Sequence, residues 1–221
     1  YLCLLLTFAS SALLGFAVIM AFILVYIAKR KYLWKIYIAL LLVFFSITVF
    51  VNEKSEGRLY GRFSSIGNDA QVTINKEENY EKAGSNRIYI WLRTMELIKE
   101  SPWVGYGLEN LDSVFIEKYH DEMIEMYGKV SLVDRAHNEY LHIAVSSGIP
   151  ALIAYLIFIF FCLKKGYELT KKDIRYLPYL TAASAYLVQA FFNISVVSVA
   201  YIFWIFLGII TNEDVFRKKP L

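Results

Sequence analysis

A run of charged and polar residues, DRAHNE at positions 134–139, stands directly against a long apolar stretch. Its histidine, His137, titrates near neutral pH unaided, so it could take the proton from an attacking hydroxyl. Arg135 beside it, with Arg87 and Arg62 earlier in the chain, supplies guanidinium groups that bind phosphate oxygens two at a time. A base with several guanidiniums suits a transfer in which a hydroxyl attacks and a diphosphate departs, because the leaving group gathers negative charge. Each residue also has a plain structural reading. His137 can be a hydrogen-bonded helix flank, Arg87 a solvated charge in a first helical turn, and Arg135 a partner of Asp134 or a contact to lipid headgroups.

The remaining reactive types point nowhere else. His142 follows His137 by five residues, about 140° around a helix, so the two do not share a face. His120 lies in the acidic stretch HDEMIE, and its carboxylate neighbours point different ways on a helix, so no metal site is expected. Cys3 and Cys162 stand in apolar runs and read as small buried residues. No glycine-rich loop leads into Lys-Ser/Thr, so neither nucleotide nor other cofactor is expected. The cations sit in short loops and make no stripe for nucleic acid.

The elements that must hold these residues are membrane-like. The 221 residues are 57% hydrophobic and 17% aromatic, with mean hydropathy +0.45. Apolar runs long enough to cross about 30 Å of hydrocarbon predict five spans, at residues 2–27, 34–51, 140–163, 176–194 and 196–210. The chain opens inside such a run without Met or a charged leader, which predicts the C-terminal part of a longer polytopic protein. Segments 28–35, 164–175 and the tail carry twelve Lys/Arg against four Asp/Glu, whereas residues 52–139 carry eleven against sixteen. Short basic connections stay in the cytoplasm, so the long loop is expected outside it. Three parts follow: two spans over 1–51, an extracytoplasmic catalytic loop over 52–139, and three spans over 140–221. The fold class expected is all-α, a polytopic transmembrane bundle in contact with the bilayer.

Within the loop, residues 86–100 predict an amphipathic helix with Ile88, Trp91, Leu92, Met95 and Ile98 on one face. Ser85 or Asn86 can cap it and Pro102 stops it. A second helix is expected over 109–127, with Leu111, Phe115, Tyr119 and Met123 four apart and Gly128 ending it. Trp103–Gly107, WVGYG, makes a glycine turn between them, and residues 52–80 read as irregular polar loop. Pro150–Leu163 would be only about 21 Å as a helix, so the third span is expected to begin near His137 and to break at 148–150.

GRFSSI (61–66), SNRIYIWLRTMELIKESPWVGYG (85–107) and AHNEYLHIAVSSG (136–148) occur in that order. Arg-x3-Trp before a Pro–Gly-x-Gly turn, then His-x10-Gly at His137 and Gly148, resembles the O-antigen ligase and O-antigen polymerase superfamily of bacterial membrane glycosyltransferases. The resemblance spans residues 2 to the last apolar run, the C-terminal half of such proteins. It implies metal-independent, inverting transfer from a polyprenyl-diphosphate-linked glycan to a glycan, lipid or protein hydroxyl at the outer face of the cytoplasmic membrane. His137 would be the base. Arg87, Arg135 and Arg62 would hold the diphosphate, with Asn138, Trp91 and Gly148 in support. Arg93 has the same Arg-x3 spacing, to Leu97, but Arg87 has the better place relative to the turn. Where the family carries a Ser-Arg-Gly-like element, this chain has TFASSALLG, with Ser10 at the arginine position. A transporter is disfavoured because the clear span interiors hold almost no ionisable residues. A non-catalytic membrane partner or receptor with an external binding cap remains open.

Overall fold

The computed structural model describes residues 1–28, 30–75, 81 and 86–217. Among the described residues the secondary structure is helical, without strands. In order, α1 is Leu2–Leu6, α2 Ser10–Ile27, α3 Trp34–Lys54, α4 Arg58–Asn75, α5 Arg87–Glu100, α6 Leu111–Tyr127, α7 Glu139–Ser147, α8 Ile149–Lys172, α9 Leu177–Ala190 and α10 Val197–Thr211.

Two of these, α3 and α8, are long and apolar enough to cross a membrane. The other expected spans divide differently. The first breaks at residues 7–9, where Thr7 Oγ1 donates to the Leu4 carbonyl at 2.7 Å and Phe8 turns to φ +50°. The run at 140–163 becomes two helices joined at Gly148, whose φ is +86°. The break itself was expected; the span's starting point was not. Helix α8 continues through its charged end to Lys172, 24 residues in all, or about 36 Å at 1.5 Å per residue. It needs nothing from α7 to reach membrane length. Pro150 sits in its first turn, where a missing N–H costs nothing. Helices α9 and α10 have 14 and 15 residues, with a turn over 191–196 between them.

The region 52–80 is corrected as well. Residues 58–75 are helix α4, anchored through Leu59 against Leu5 and Val51; residues 76–80 and Ser85 lie outside the described part, as do Lys29, Lys218 and Lys219. Helix α5 begins after Asn86, which sits at the cap position in the left-handed region, φ +67°, without a side-chain cap bond. Helix α6 ends as expected at Gly128, φ +71°.

Two separate cores result. In the first, which we call the cap, Tyr89, Leu97, Leu111, Phe115, Met123, Val133, Ala136 and Val145 pack together. Burying such side chains stabilises by about 1.5–3 kcal/mol each. Tyr89, Thr94 and Leu97 of α5 face this core, not the predicted Ile88–Trp91–Met95 stripe, because tyrosine and threonine counted as polar in the periodicity. Met95 stays 41% exposed, and Trp91 turns instead toward Phe191 and Phe192, with ring centroids at 5.9 and 6.2 Å.

The second core, Ile159, Cys162, Leu180, Ala183, Phe203, Leu207 and Ile210, joins α8, α9 and α10. Gly166 permits their close approach, since a Cβ there would lie 3.0 Å from Ile210 and 3.2 Å from Leu180. Helix α2 packs along α9, with Gly15 against the Ala185 backbone. One end of this bundle is laced by Lys165 with Glu213 and by Arg175, which donates to the Phe216 carbonyl. Helix α9 leads from that basic end to the opposite one, where the cap sits.

Candidate functional site

His137 stands at the junction of cap and bundle, one residue before the cap of α7. Its backbone is left-handed, φ +49°, a strained state for a non-glycine residue that persists only where its surroundings enforce it. The enforcement is visible on both sides. Asn138, buried, caps α7 by accepting from the backbone N–H of Tyr140 and Leu141 at 3.0 and 3.1 Å. Ala136, fully buried, offers its carbonyl to the Trp91 indole N–H at 2.9 Å. Beyond Asn138, the Glu139 carboxylate accepts from the Ser195 N–H at 2.7 Å, and Tyr140 donates to the Leu187 carbonyl at 2.8 Å. The histidine is thereby tied to α5, α7 and the α9–α10 turn at once.

Its electrostatic setting is cationic. Partial burial, then the Arg87 charge, pushes the His137 imidazole below its ordinary 6.5, with Asp134 pulling back. Arg87 is in turn lowered by burial and by Arg62. Helix α4, helix α5 and the 130–138 segment thus bring Arg62 within the field of Arg87, and Arg87 within that of His137. Among the described residues neither arginine forms an ion pair or side-chain hydrogen bond. Two guanidiniums without an ion pair among the described residues, Arg62 acting on Arg87 and Arg87 on the imidazole, form a place where an anion would be stabilised.

Arg135 and Arg93 have other engagements. Arg135 meets Glu109 at 2.6 Å through both terminal nitrogens, and Nη1 also donates to His142 Nε2 at 3.2 Å. Arg93 lies under α6, bonded through Nε to Glu122 at 3.0 Å and through Nη1 to Glu96 at 2.8 Å, with Glu81 nearby. Partial burial works to lower its pKa, but those carboxylates together outweigh it and push the pKa up. Of the two arginines with Arg-x3 spacing, Arg87 is the one without a carboxylate partner among the described residues.

The glycines of the two motifs meet. Tyr106 and Gly107 donate their N–H groups to the Val145 and Ser146 carbonyls at 2.8 and 2.9 Å, and Ile149 donates to the Pro102 carbonyl at 2.7 Å. A Cβ on Gly148 would fall 2.2 Å from the Trp103 carbonyl oxygen, and one on Gly105 would fall 2.5 Å from that of Val145. The WVGYG turn is therefore stitched backbone to backbone onto the end of α7. His137 at one end of α7 and Gly148 at the other are two ends of one short strut. Beside the seam, Pro102, Trp103, Ile149, Pro150, Ile153, Ala154 and Ile157 line an apolar groove of ≈ 570 Å³.

Sequence reasoning missed Glu109 and the Phe191–Phe192 pair. Glu109, φ +60°, carries no motif of its own, though its place just after Gly-x-Gly was a usable signal. Ser10 opens α2. Among the described residues no three His, Cys, Asp or Glu side chains gather as a metal-binding group.

Comparison with known proteins adds two findings. The O-antigen ligase family profile matches residues 1–156. A Rickettsia conorii protein whose name describes it as a polysaccharide ligase is 29% identical over 110 residues, 49% of this chain and 26% of that protein. The chain thus spans about a quarter of that relative's length. No solved structure matches the chain.

Proposed function

Because the chain belongs to the O-antigen ligase family, we propose that it is part of a membrane glycosyltransferase whose donor is a glycan on a polyprenyl diphosphate. Arg62 and Arg87 hold the diphosphate. His137 takes the proton from the acceptor hydroxyl as its oxygen bonds to the anomeric carbon; the bond from that carbon to phosphate breaks, and the diphosphate leaves with the electron pair. Its negative charge meets the two guanidiniums, so the chemistry needs no metal ion to balance it. Burial and Arg87 keep His137 neutral at physiological pH, the form a base requires.

The observation that carries this reading is the Arg62–Arg87 group, without a carboxylate partner among the described residues, beside a strained histidine whose pKa is lowered. The membrane-length helices α3 and α8 support a location in the bacterial cytoplasmic membrane. The basic clamp at the far end of the bundle supports an extracytoplasmic cap by the positive-inside rule. The groove at Trp103 offers apolar surface for the carrier's hydrocarbon. The acceptor is a hydroxyl of a glycan, lipid or protein.

The test is complementation of a strain lacking the full-length protein, with membrane levels checked for each variant. His137→Ala and Arg87→Ala are expected to lose the surface glycan ladder and to accumulate carrier-linked glycan, a rate loss of about 10²–10⁴-fold for the base. A normal ladder with His137→Ala would end the reading and leave a cap that binds a partner.

A further inference from the structure

Arg135 is not among the charges that shift His137, and its partners point to another task. Glu109 takes up both of its terminal nitrogens, and His142 accepts from one of them. That arrangement fixes the guanidinium plane between the start of α6 and the middle of α7. Glu109 is itself left-handed, φ +60°, two residues after Gly107 at φ +91°, so the turn aims its carboxylate at Arg135. Two residues on, His137 is left-handed too, φ +49°. Its downstream side is held by the Asn138 cap, and the carbonyl before it by Trp91. Arg135 is the remaining anchor, on the upstream side.

We propose that Glu109 and Arg135 are positioning residues, a clasp that holds residues 135–138 so that His137 faces Arg87, and that Arg135 acts through this backbone and not on the donor. The proposal rests on the reading of His137 as the base, yet it has a readout that does not need the transfer reaction. In full-length protein in detergent, modification of His137 by diethyl pyrocarbonate at neutral pH reports how tightly the half-buried imidazole is held. Glu109→Gln and Arg135→Gln are expected to speed that modification about two- to fivefold, the factor a partly exposed ion pair can supply. They are also expected to weaken the glycan ladder. Arg135→Lys, which keeps a charge for Glu109, should stay near the wild-type rate.

Unchanged His137 reactivity in both glutamine variants overturns the clasp. Loss of the ladder with Arg135→Gln at unchanged reactivity also overturns it and returns Arg135 to the donor. A normal ladder with His137→Ala ends the transferase reading alone, because the reactivity of His137 in the clasp variants is measured without any donor.

Discussion

Phe115 in the cap is fully buried, whereas Phe160 and Phe161 on α8 are 61% and 60% exposed. The residue type is the same, and so is the helical context. What differs is the solvent each region is built for. The cap gathers its aromatics around an interior, as water requires. Helices α3 and α8, the two of membrane length, turn most of theirs outward, as hydrocarbon allows. Inside each region the devices differ too: the cap is held by caps, ion pairs and positive-φ turns, whereas the bundle packs through small residues such as Gly15, Gly166 and Ala183 and keeps its ion pairs to one end.

The largest test of this contrast is a pair of truncations. Phe115→Ala is expected to cost about 3–5 kcal/mol, and Phe160→Ala under about 0.5 kcal/mol, by thermal unfolding in lipid-like detergent. An equal loss at Phe160 would mean that protein, not lipid, covers that face. Next come two glycines. Gly148→Ala forces a side chain onto φ +86° against Trp103 and should cost about 1–3 kcal/mol. Gly208→Ala in α10, with nothing within 4 Å, should be neutral or stabilise by up to about 1 kcal/mol. Both are read as shifts in Tm.

Within the cap the arginines separate. Arg93→Ala should lower stability by about 1–2 kcal/mol, since Glu122 and Glu96 lose their shared partner and that partner is largely but not wholly buried. Arg87→Ala should change stability by under about 0.5 kcal/mol while abolishing product. A large stability loss at Arg87 would make it a structural residue.

The smallest effect is a pH dependence. The His137 pKa is lowered in the folded state, so the unfolded chain binds the proton more readily. Stability is therefore full above 6.5 and falls as pH drops through that value toward the folded one. His137→Gln should remove this part of the acid slope in a pH series of unfolding curves. Asp134→Asn, which deletes the one charge raising the pKa, should move the acid limb of activity to lower pH.

Much of the cap was legible because water-facing helices keep their periodicity: α5 and α6 begin and end within two residues of expectation. The stitch at Gly148 was legible as a break, since proline and glycine act locally. Helix α4 was not, although apolar residues recur at 59, 63, 66, 70 and 74; its glycines, serines and asparagines outweighed that rhythm. The end of α8 was missed because hydropathy stops at Leu163 while backbone hydrogen bonding does not. At the candidate site, His137 and Arg87 could be proposed from their types. That Arg135 pairs with Glu109 depends on a contact across 26 residues, which no local pattern encodes.

Helix α7 has one more consequence, drawn from its fixed ends. His137 is locked at one end and Gly148 is sewn to the turn at the other, so the ten residues between, Asn138 and the nine of α7, serve as a gauge block. An inserted residue would rotate one end about 100° and displace it 1.5 Å, pulling the histidine off the arginines or the glycine off its seam. Side chains along α7 are free to vary wherever they meet lipid or water. Its length is not.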